Sequence, residues 1–178
     1  MGQKYAAYDA NGNIIAYYDS IDSPVPAGIT AVIEISCSQW QSCIDNPGWT
    51  VQNGELIAPA PPTAAQVAAQ ALVSSAQVAM ATGIAIVSSG TPALNGTYAV
   101  DQLSQMDIIA IETSLNAGKG FPGGTTTFNY LDAAGAAHAF SESNFTDFAA
   151  AVRDYVYGCK SVIAGASATL PTGPATIA

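Results

Sequence analysis

The first twenty residues alternate between hydrophobic and polar positions in two short runs. The runs "KYAAYD" and "NIIAYYD" have the two-residue period of β-strands. Asn11-Gly12 stands between them, and this dipeptide supplies the positive backbone angles that a tight hairpin turn requires. The pattern therefore predicts that the chain begins with a β-hairpin.

The same module continues with a strand, a helix and a second hairpin. Residues 29–35, "ITAVIEI", are a third strand candidate, and either Ser36 or Ser38 can cap a short helix that "NPG" ends. The segment "WTVQNGELIA" then predicts another hairpin, with Asn53-Gly54 at its turn. The predicted order of this β-rich module is thus ββ, β, α, ββ.

A proline- and alanine-rich segment, residues 58–65, separates this module from a long helix. The composition of "APAPPTAA" is typical of a spacer. Thr63 can cap a helix that Gly83 ends, but its residues are mostly alanine, serine and glutamine, so its apolar face is shallow. We expect residues 63–82 to need a partner, which is either the rest of the chain or helices of other subunits.

The last third of the chain changes to helical spacing, then to strands, then back. Asp101 can cap a helix that the glycine-rich segment 116–124 ends, and its apolar residues are Leu103, Met106, Ile108, Ile111 and Leu115. A hairpin follows, with Phe128 and Tyr130 on one face of its first strand.

Ser141 can cap the terminal helix, whose apolar residues recur every three or four positions. They are Phe145, Phe148, Val152, Tyr155, Val156, Cys159 and Val162. The hairpin aromatics and this helix face are complementary, so the two elements should share one small core.

These elements predict an α+β protein with a small N-terminal β-rich module, an alanine-rich helix and a C-terminal helix–β-hairpin–helix domain. The predicted boundaries are 1–57 for the hairpin module, 58–82 for the linker and helix, 83–165 for the C-terminal domain and 166–178 for a tail.

Charge and composition exclude several classes of partner. The 178 residues are 49% hydrophobic, which is enough for a packed core, but only 4 Lys and Arg residues stand against 13 Asp and Glu residues. A formal charge of −9 leaves no basic stripe for a phosphate backbone, so we expect neither nucleic acid nor a membrane as partner. No signal-peptide pattern precedes "KYAAYD", and we expect a soluble protein made in a cytoplasm.

Three cysteines and three carboxylates were considered as metal ligands. Cys37, Cys43 and Cys159 have no metal-like spacing, and we expect them to be buried thiols. Asp101, Asp107 and Glu112 are separated by six and five residues, which does not place them on one helix face. We therefore expect no metal site and no cofactor.

The single histidine, His138, lies in the predicted C-terminal hairpin. Asp132 and Ser141 could complete a catalytic set with it, but no nucleophile-elbow pattern surrounds any serine. The segment "GKGFPGG" lacks the spacing of a phosphate-binding loop. We expect no catalytic residue, and hence a protein that is not an enzyme.

Aromatic residues are concentrated in the N-terminal module. Tyr8, Tyr17, Tyr18 and Trp40 are our candidate partner-contact residues. The two-residue period of strands places some tyrosines of the hairpin on opposite faces, so some rings should point away from the module's core. Exposed rings of this kind bind protein partners or stack on sugars, whereas the remaining rings pack in the core.

Two segments carry a resemblance to phage proteins. The residues "YAAYDANGNIIAYYDS" and "AVIEISCSQWQSCIDNPGWTVQNGELI" resemble the N-terminal part of proteins encoded beside tail-fibre genes in tailed bacteriophages, including tail-fibre assembly chaperones. The match covers roughly residues 5–62. Residues 83–163 resemble an uncharacterised domain common in phage and prophage tail proteins, and the ending "LPTGPATIA" is of the same kind.

The resemblance implies a non-enzymatic tail protein that binds the tail fibre or neighbouring tail subunits, as a virion component or as an assembly chaperone. Such a protein would reside in the virion tail, or in the host cytoplasm during assembly, and we expect it to be a homo-oligomer. One alternative is a module that binds a receptor polysaccharide. Another is a small hydrolase of such a polymer, although no pair of carboxylates suited to a glycosidase stands out.

Overall fold

The computed structural model describes residues 2–178, and its fold is mixed α+β as predicted. The chain divides into two compact units, the first extending to Pro62 and the second comprising Thr63–Ala178. Within residues 2–178, no helix is both long enough and apolar enough to cross a membrane.

The first unit contains five strands and one helix in the predicted order. They are β1 Lys4–Tyr8, β2 Ile14–Asp19, β3 Val32–Ile35, α1 Cys37–Asp45, β4 Thr50–Gln52 and β5 Glu55–Ile57. Strands β1, β2 and β3 form an antiparallel sheet in the order β2-β1-β3, and β4 pairs with β5. The central strand β1 contributes Ala6 and Ala7, both completely buried.

The two predicted hairpin turns form by different means. Asn53 and Gly54 both have positive φ, at 54° and 80°, as the two-residue turn requires. In the first hairpin only Gly12 has positive φ, and the loop is longer. The Asp9 carboxylate accepts hydrogen bonds from the amides of Asn11 and Asn13, each at 2.9 Å, so this side chain holds the loop.

Helix α1 begins at a capping box. Ser36 accepts a hydrogen bond from the Gln39 amide, and the Gln39 side chain accepts one from the Ser36 amide. Cys43, on the inner face of α1, is buried, whereas Cys37 is exposed because it lies in the first turn, outside that face. The prediction of buried thiols is therefore wrong for Cys37 and confirmed for Cys43 and Cys159.

The second unit contains three helices and two small sheets. Its elements are α2 Ala64–Thr82, β6 Ile84–Ser88, β7 Gly96–Tyr98, α3 Gln102–Asn116, β8 Thr127–Leu131, β9 Ala137–Ser141, α4 Glu142–Ile163 and β10 Ala175–Ile177. One sheet has the order β10-β6-β7, and the other is the hairpin β8-β9. Short 3-10 turns occupy Pro92–Leu94 and Pro122–Gly124.

Aromatic side chains fill the core of this unit. Phe148 on α4 contacts Tyr98, Tyr130, Phe140 and Phe145, with ring centroids 4.9–5.6 Å apart. Such distances suit tilted and edge-to-face ring packing. The apolar face predicted for α4 is confirmed, since all of its predicted members are buried except Tyr155, which is half-buried.

The predicted caps of the three helices are present. Thr63 forms a capping box with Gln66, Asp101 accepts hydrogen bonds from the Leu103 and Ser104 amides, and Ser141 accepts one from the Asn144 amide. Each side chain thereby pairs amides that the first turn of a helix leaves free.

Two predicted boundaries differ from the structure. The sequence predicts that α2 belongs to a linker segment, but it packs on α4 around Ala76 and belongs to the second unit. Residues 166–178 were assigned to a tail, but β10 pairs in parallel with β6, where Ala175 lies opposite Ile86. Both partners lie far along the chain from these segments, so local sequence could not reveal them.

The apolar face predicted for α3 is only partly correct. Ile108 and Ile111 are buried and Leu115 is half-buried, but Leu103 and Met106 are exposed. Helix α3 is apolar on two sides, and the unit's own core covers one of them.

Candidate functional site

One face of the β2-β1-β3 sheet carries a charged cluster. Lys4 on β1 lies opposite Asp19 on β2 and donates a hydrogen bond to its carboxylate. The amides of Ile21, at 2.7 Å, and Asp22, at 3.1 Å, donate to the same carboxylate. The Lys4 ammonium, followed by these amides, lowers the pKa of Asp19 to about 2, so this nearly buried carboxylate stays charged.

Trp40 on α1 is part of this cluster. The Lys4 ammonium lies 4.7 Å from the centroid of the Trp40 ring, which is a cation–π geometry. The lysine thus joins β1 to β2 through the ion pair with Asp19 and joins the sheet to α1 through the contact with Trp40. Trp40 is half-buried, and one face of its ring is occupied by an interaction within the unit.

Tyr17 lies on the same face of the sheet. It pairs with the buried Ala6, and Cys43 of α1 is its neighbour. Burial raises the pKa of Tyr17 to about 12, and the Cys43 thiol acts in the same direction. Burial likewise raises the pKa of Cys43. Two of the four candidate contact residues, Tyr17 and Trp40, therefore help to pack α1 on the sheet.

The opposite face of the sheet carries a pair of tyrosines. Tyr5 on β1 lies directly across from Tyr18 on β2, and both rings are half-buried. Tyr8, also half-buried, stands at an irregularity where the register shifts and Tyr8 pairs with Ile14. The hairpin rings thus occupy both faces, and the four candidates do not form one patch.

Tyr5 and Lys4 are not among the contact residues that the sequence predicts. The pairing of Tyr5 with Tyr18 depends on the strand register, which the five-residue loop sets. The position of Lys4 over Trp40 depends on how α1 packs on the sheet. Neither relationship leaves a signal in the local sequence.

A pocket of about 450 Å³ opens beside Tyr17 in the same unit. Its lining includes Tyr17 and Cys43, the Trp49 ring, and Asn13 and Thr50. The indole Nε1 of Trp49 is buried and has no hydrogen-bond partner among the residues described. The pocket thus combines two aromatic residues with polar groups, and its polar and apolar surfaces are of similar extent.

His138 in the second unit joins three segments of the chain. Its Nδ1 lies 2.6 Å from the Ala93 carbonyl oxygen, and its Nε2 lies 3.3 Å from the Asp132 carboxylate. The amides of Ala134 and Ala136 also donate to Asp132, and the bond from Ala136 is the main cause of its lowered pKa. These contacts hold the β8–β9 turn.

Ser141 is not placed to act with His138. The two residues are three positions apart on β9, so their side chains point to opposite faces of the hairpin. The Ser141 hydroxyl is engaged with Asn144 at the start of α4. The geometry therefore assigns His138 a packing role and Ser141 a capping role.

Asp101, Asp107 and Glu112 all lie on α3 or at its start. Asp101 caps α3, and hydrogen bonds from Ser104 are the main cause of its lowered pKa. Across residues 2–178, no three side chains of the His, Cys, Asp and Glu types are grouped in a way that could hold a metal ion.

Comparison with protein families, with curated proteins and with solved structures found no match to this chain.

Proposed function

We propose that the chain is a non-enzymatic bacteriophage tail protein that binds the tail fibre or neighbouring tail subunits, as a virion component or as a fibre assembly chaperone. The resemblance of residues 5–62 and 83–163 to tail-associated proteins supports this proposal. The observation that carries the binding role is the Tyr5–Tyr18 pair on the sheet face opposite α1.

Paired tyrosines on a small sheet are suited to partner binding. Tyrosine buries a large area at little cost in side-chain entropy and retains a hydroxyl for a polar contact. Tyr5 and Tyr18 are half-buried in the chain, so a partner can still cover part of each ring. Tyr17 and Trp40, by contrast, are engaged with α1 and the Lys4 cluster.

The test compares two substitutions on strand β2. Tyr18→Ala should reduce co-purification with tail-fibre protein. If the ring is a hot spot that contributes ~2 kcal/mol, the substitution should raise the Kd of the complex about thirtyfold. Ile15→Ala removes an exposed apolar side chain from the same strand and should leave binding unchanged. Both tryptophans lie in the first unit, so tryptophan fluorescence shows whether each variant keeps this unit folded. Equal binding by both folded variants would refute the role of the tyrosine pair.

The two forms of the proposal differ in how long the bound state lasts. A virion component stays in purified particles, in the tail, whereas a chaperone acts in the host cytoplasm and leaves before assembly ends. Mass spectrometry of purified virions should detect peptides from both units in the first case. In the second case the peptides should appear only in lysates of infected cells.

The pocket beside Tyr17 favours a second candidate, a receptor module that binds a bacterial polysaccharide. The Trp49 ring in its lining could stack on a sugar. In that case, adding purified host polysaccharide should change the tryptophan fluorescence, and Trp49→Phe should weaken this response. Particles with the variant would assemble normally but adsorb poorly to host cells. Normal adsorption and no fluorescence response would exclude this candidate.

A further inference from the structure

An apolar groove of about 310 Å³ runs between α3 and α4 in the second unit. Its buried lining residues are Ile108 on α3 and Ala149, Val152 and Val156 on α4. Tyr157, which also lines the groove, is exposed. Apolar residues thus reach from the core of the unit to its surface.

An exposed apolar ridge lies on the same helix, α3. Leu103, Met106 and Ile109 follow one another at intervals of three residues, and their side chains are 68%, 59% and 58% exposed. Neighbouring members are adjacent on the helix surface, but each step of three residues turns by about 60°, so Met106 and Ile109 lie nearest the groove and Leu103 lies further round the helix. Ile109 also lines the groove, and ridge and groove are therefore parts of one surface.

The charges at the rims of the groove have opposite signs on its two walls. Glu112 stands on the α3 wall, whereas Arg153 and Lys160 stand on the α4 wall. Arg153 donates a hydrogen bond of 2.9 Å to Asp154 of its own chain, so Lys160 is the cation of the groove with no ion pair within residues 2–178. The chain has only four Lys and Arg residues and a net charge of −9, so half of its cations lie at this groove. Two acidic chains can approach each other here with less repulsion than elsewhere.

We propose that a second copy of this chain docks on this surface about a two-fold axis. The ridge of each copy enters the groove of the other, and the α3 wall of one faces the α4 wall of its mate. Glu112 then lies opposite Arg153 and Lys160 of the second copy. A surface that carries a ridge, a groove and both charge signs is self-complementary, as an isologous interface requires.

This inference names the surface for the self-association expected of the proposed tail protein, and to that extent it rests on the proposed function. Helix α2 is the other candidate for self-association. Its C-terminal half already packs on α4 of its own chain, where the Tyr155 hydroxyl lies 3.0 Å from the Ala79 carbonyl oxygen. The α3/α4 surface has both a ridge and a cavity, so it is the better candidate.

Light scattering and sedimentation velocity of the full chain test the ridge. The unchanged protein should have the mass of a dimer, and Met106→Asp and Ile109→Asp should each halve it. Leu131→Asp places the same charge at a residue that is 58% exposed on the separate strand β8, and this variant should stay dimeric. All three side chains are exposed, so circular dichroism should show unchanged folding.

Charge reversal tests the two-fold arrangement. Glu112→Lys and Lys160→Glu should each raise the dimer dissociation constant, since each creates like charges across the interface. The double variant should recover at least part of the affinity. Added salt should reduce the difference between single and double variants.

A monomeric wild-type chain would overturn the inference. So would a dimer that persists in both Met106→Asp and Ile109→Asp, or a trimer that forms through residues 64–71 at the start of α2. A fibre-binding assay distinguishes failure of this inference from failure of the proposed function. If the wild-type chain is a monomer that binds fibre, only the inference fails. If it is a ridge-dependent dimer that binds neither fibre nor tail subunits, only the proposed function fails.

Discussion

The Lys4 ammonium lies 4.7 Å from the centre of the Trp40 ring, and this contact links the central strand β1 to helix α1. The same ammonium donates a hydrogen bond to the carboxylate of Asp19 on the edge strand β2. One side chain therefore joins three elements of the first unit, and the fold of that unit should depend on the charge of Asp19.

The stability of the first unit should fall in acid. The pKa of Asp19 is lowered from 3.8 to about 2, so its charged form stabilises the fold above pH 3.8, and this stabilisation is lost as the pH falls towards 2. Urea unfolding of the full chain, followed by tryptophan fluorescence, should therefore show a falling midpoint across this interval.

Asp19→Asn should lower that midpoint at neutral pH and flatten its dependence on pH between about 4 and 2, because the titrating group is gone. Asp45→Asn, at an exposed position on α1, is the matched control and should keep the wild-type profile. A parallel profile for the two variants would show that Asp19 does not couple to folding.

The core and the cap of α4 should differ in their contribution to stability. Phe148→Ala should cost about 3 to 5 kcal/mol, because it opens a cavity among four other aromatic rings. Ser141→Ala should cost about 1 kcal/mol through loss of the cap. Ser143→Ala, at an exposed position in the first turn of α4, is the control and should change the stability little. Chemical unfolding monitored by circular dichroism measures the stability of all three variants. Equal small losses at 141 and 148 would contradict the packing of α4 on the hairpin.

Gly83 should tolerate no side chain. It ends α2 with a φ of 93°, and a Cβ there would collide with the Tyr98 carbonyl oxygen. Gly83→Ala should therefore cost more than about 2 kcal/mol. Gly165 also has positive φ but has open space around it, so Gly165→Ala should cost only about 1 kcal/mol. Thermal unfolding of both variants gives the comparison, and similar melting temperatures would argue against the close approach of Gly83 to β7.

Limited proteolysis should cut the chain within residues 58–62. This segment joins the two units, is largely exposed and contains no helix or strand. The stable product should begin near Thr63, because α2 packs on α4. A chain that begins at residue 83 should be less stable than one that begins at 63. First cleavage inside α2, detected by mass spectrometry, would contradict this division.

Local chemistry was sufficient to predict most of the elements. Caps such as Thr63, Asp101 and Ser141 act on amides within three residues, and the face of α4 follows from a repeat of three and four residues. The mixed α+β class follows from such signals alone. The alternation of β6, with Ile84, Ile86 and Ser88 buried, is present in the sequence, but no two-residue turn joins β6 to its partner β7, because the 3-10 turn Pro92–Leu94 lies between them.

Contacts between distant residues were decided only by the tertiary structure. Strand β10 has three residues and no stability until it pairs with β6, which is about ninety residues earlier in the chain. The exposure of Leu103 and Met106 depends on which side of α3 the core covers, because both sides are apolar. The pairing of Tyr5 with Tyr18 depends on register. Sequence periodicity identifies faces and caps, whereas the partner of each face is selected by packing between elements that are far apart in the chain.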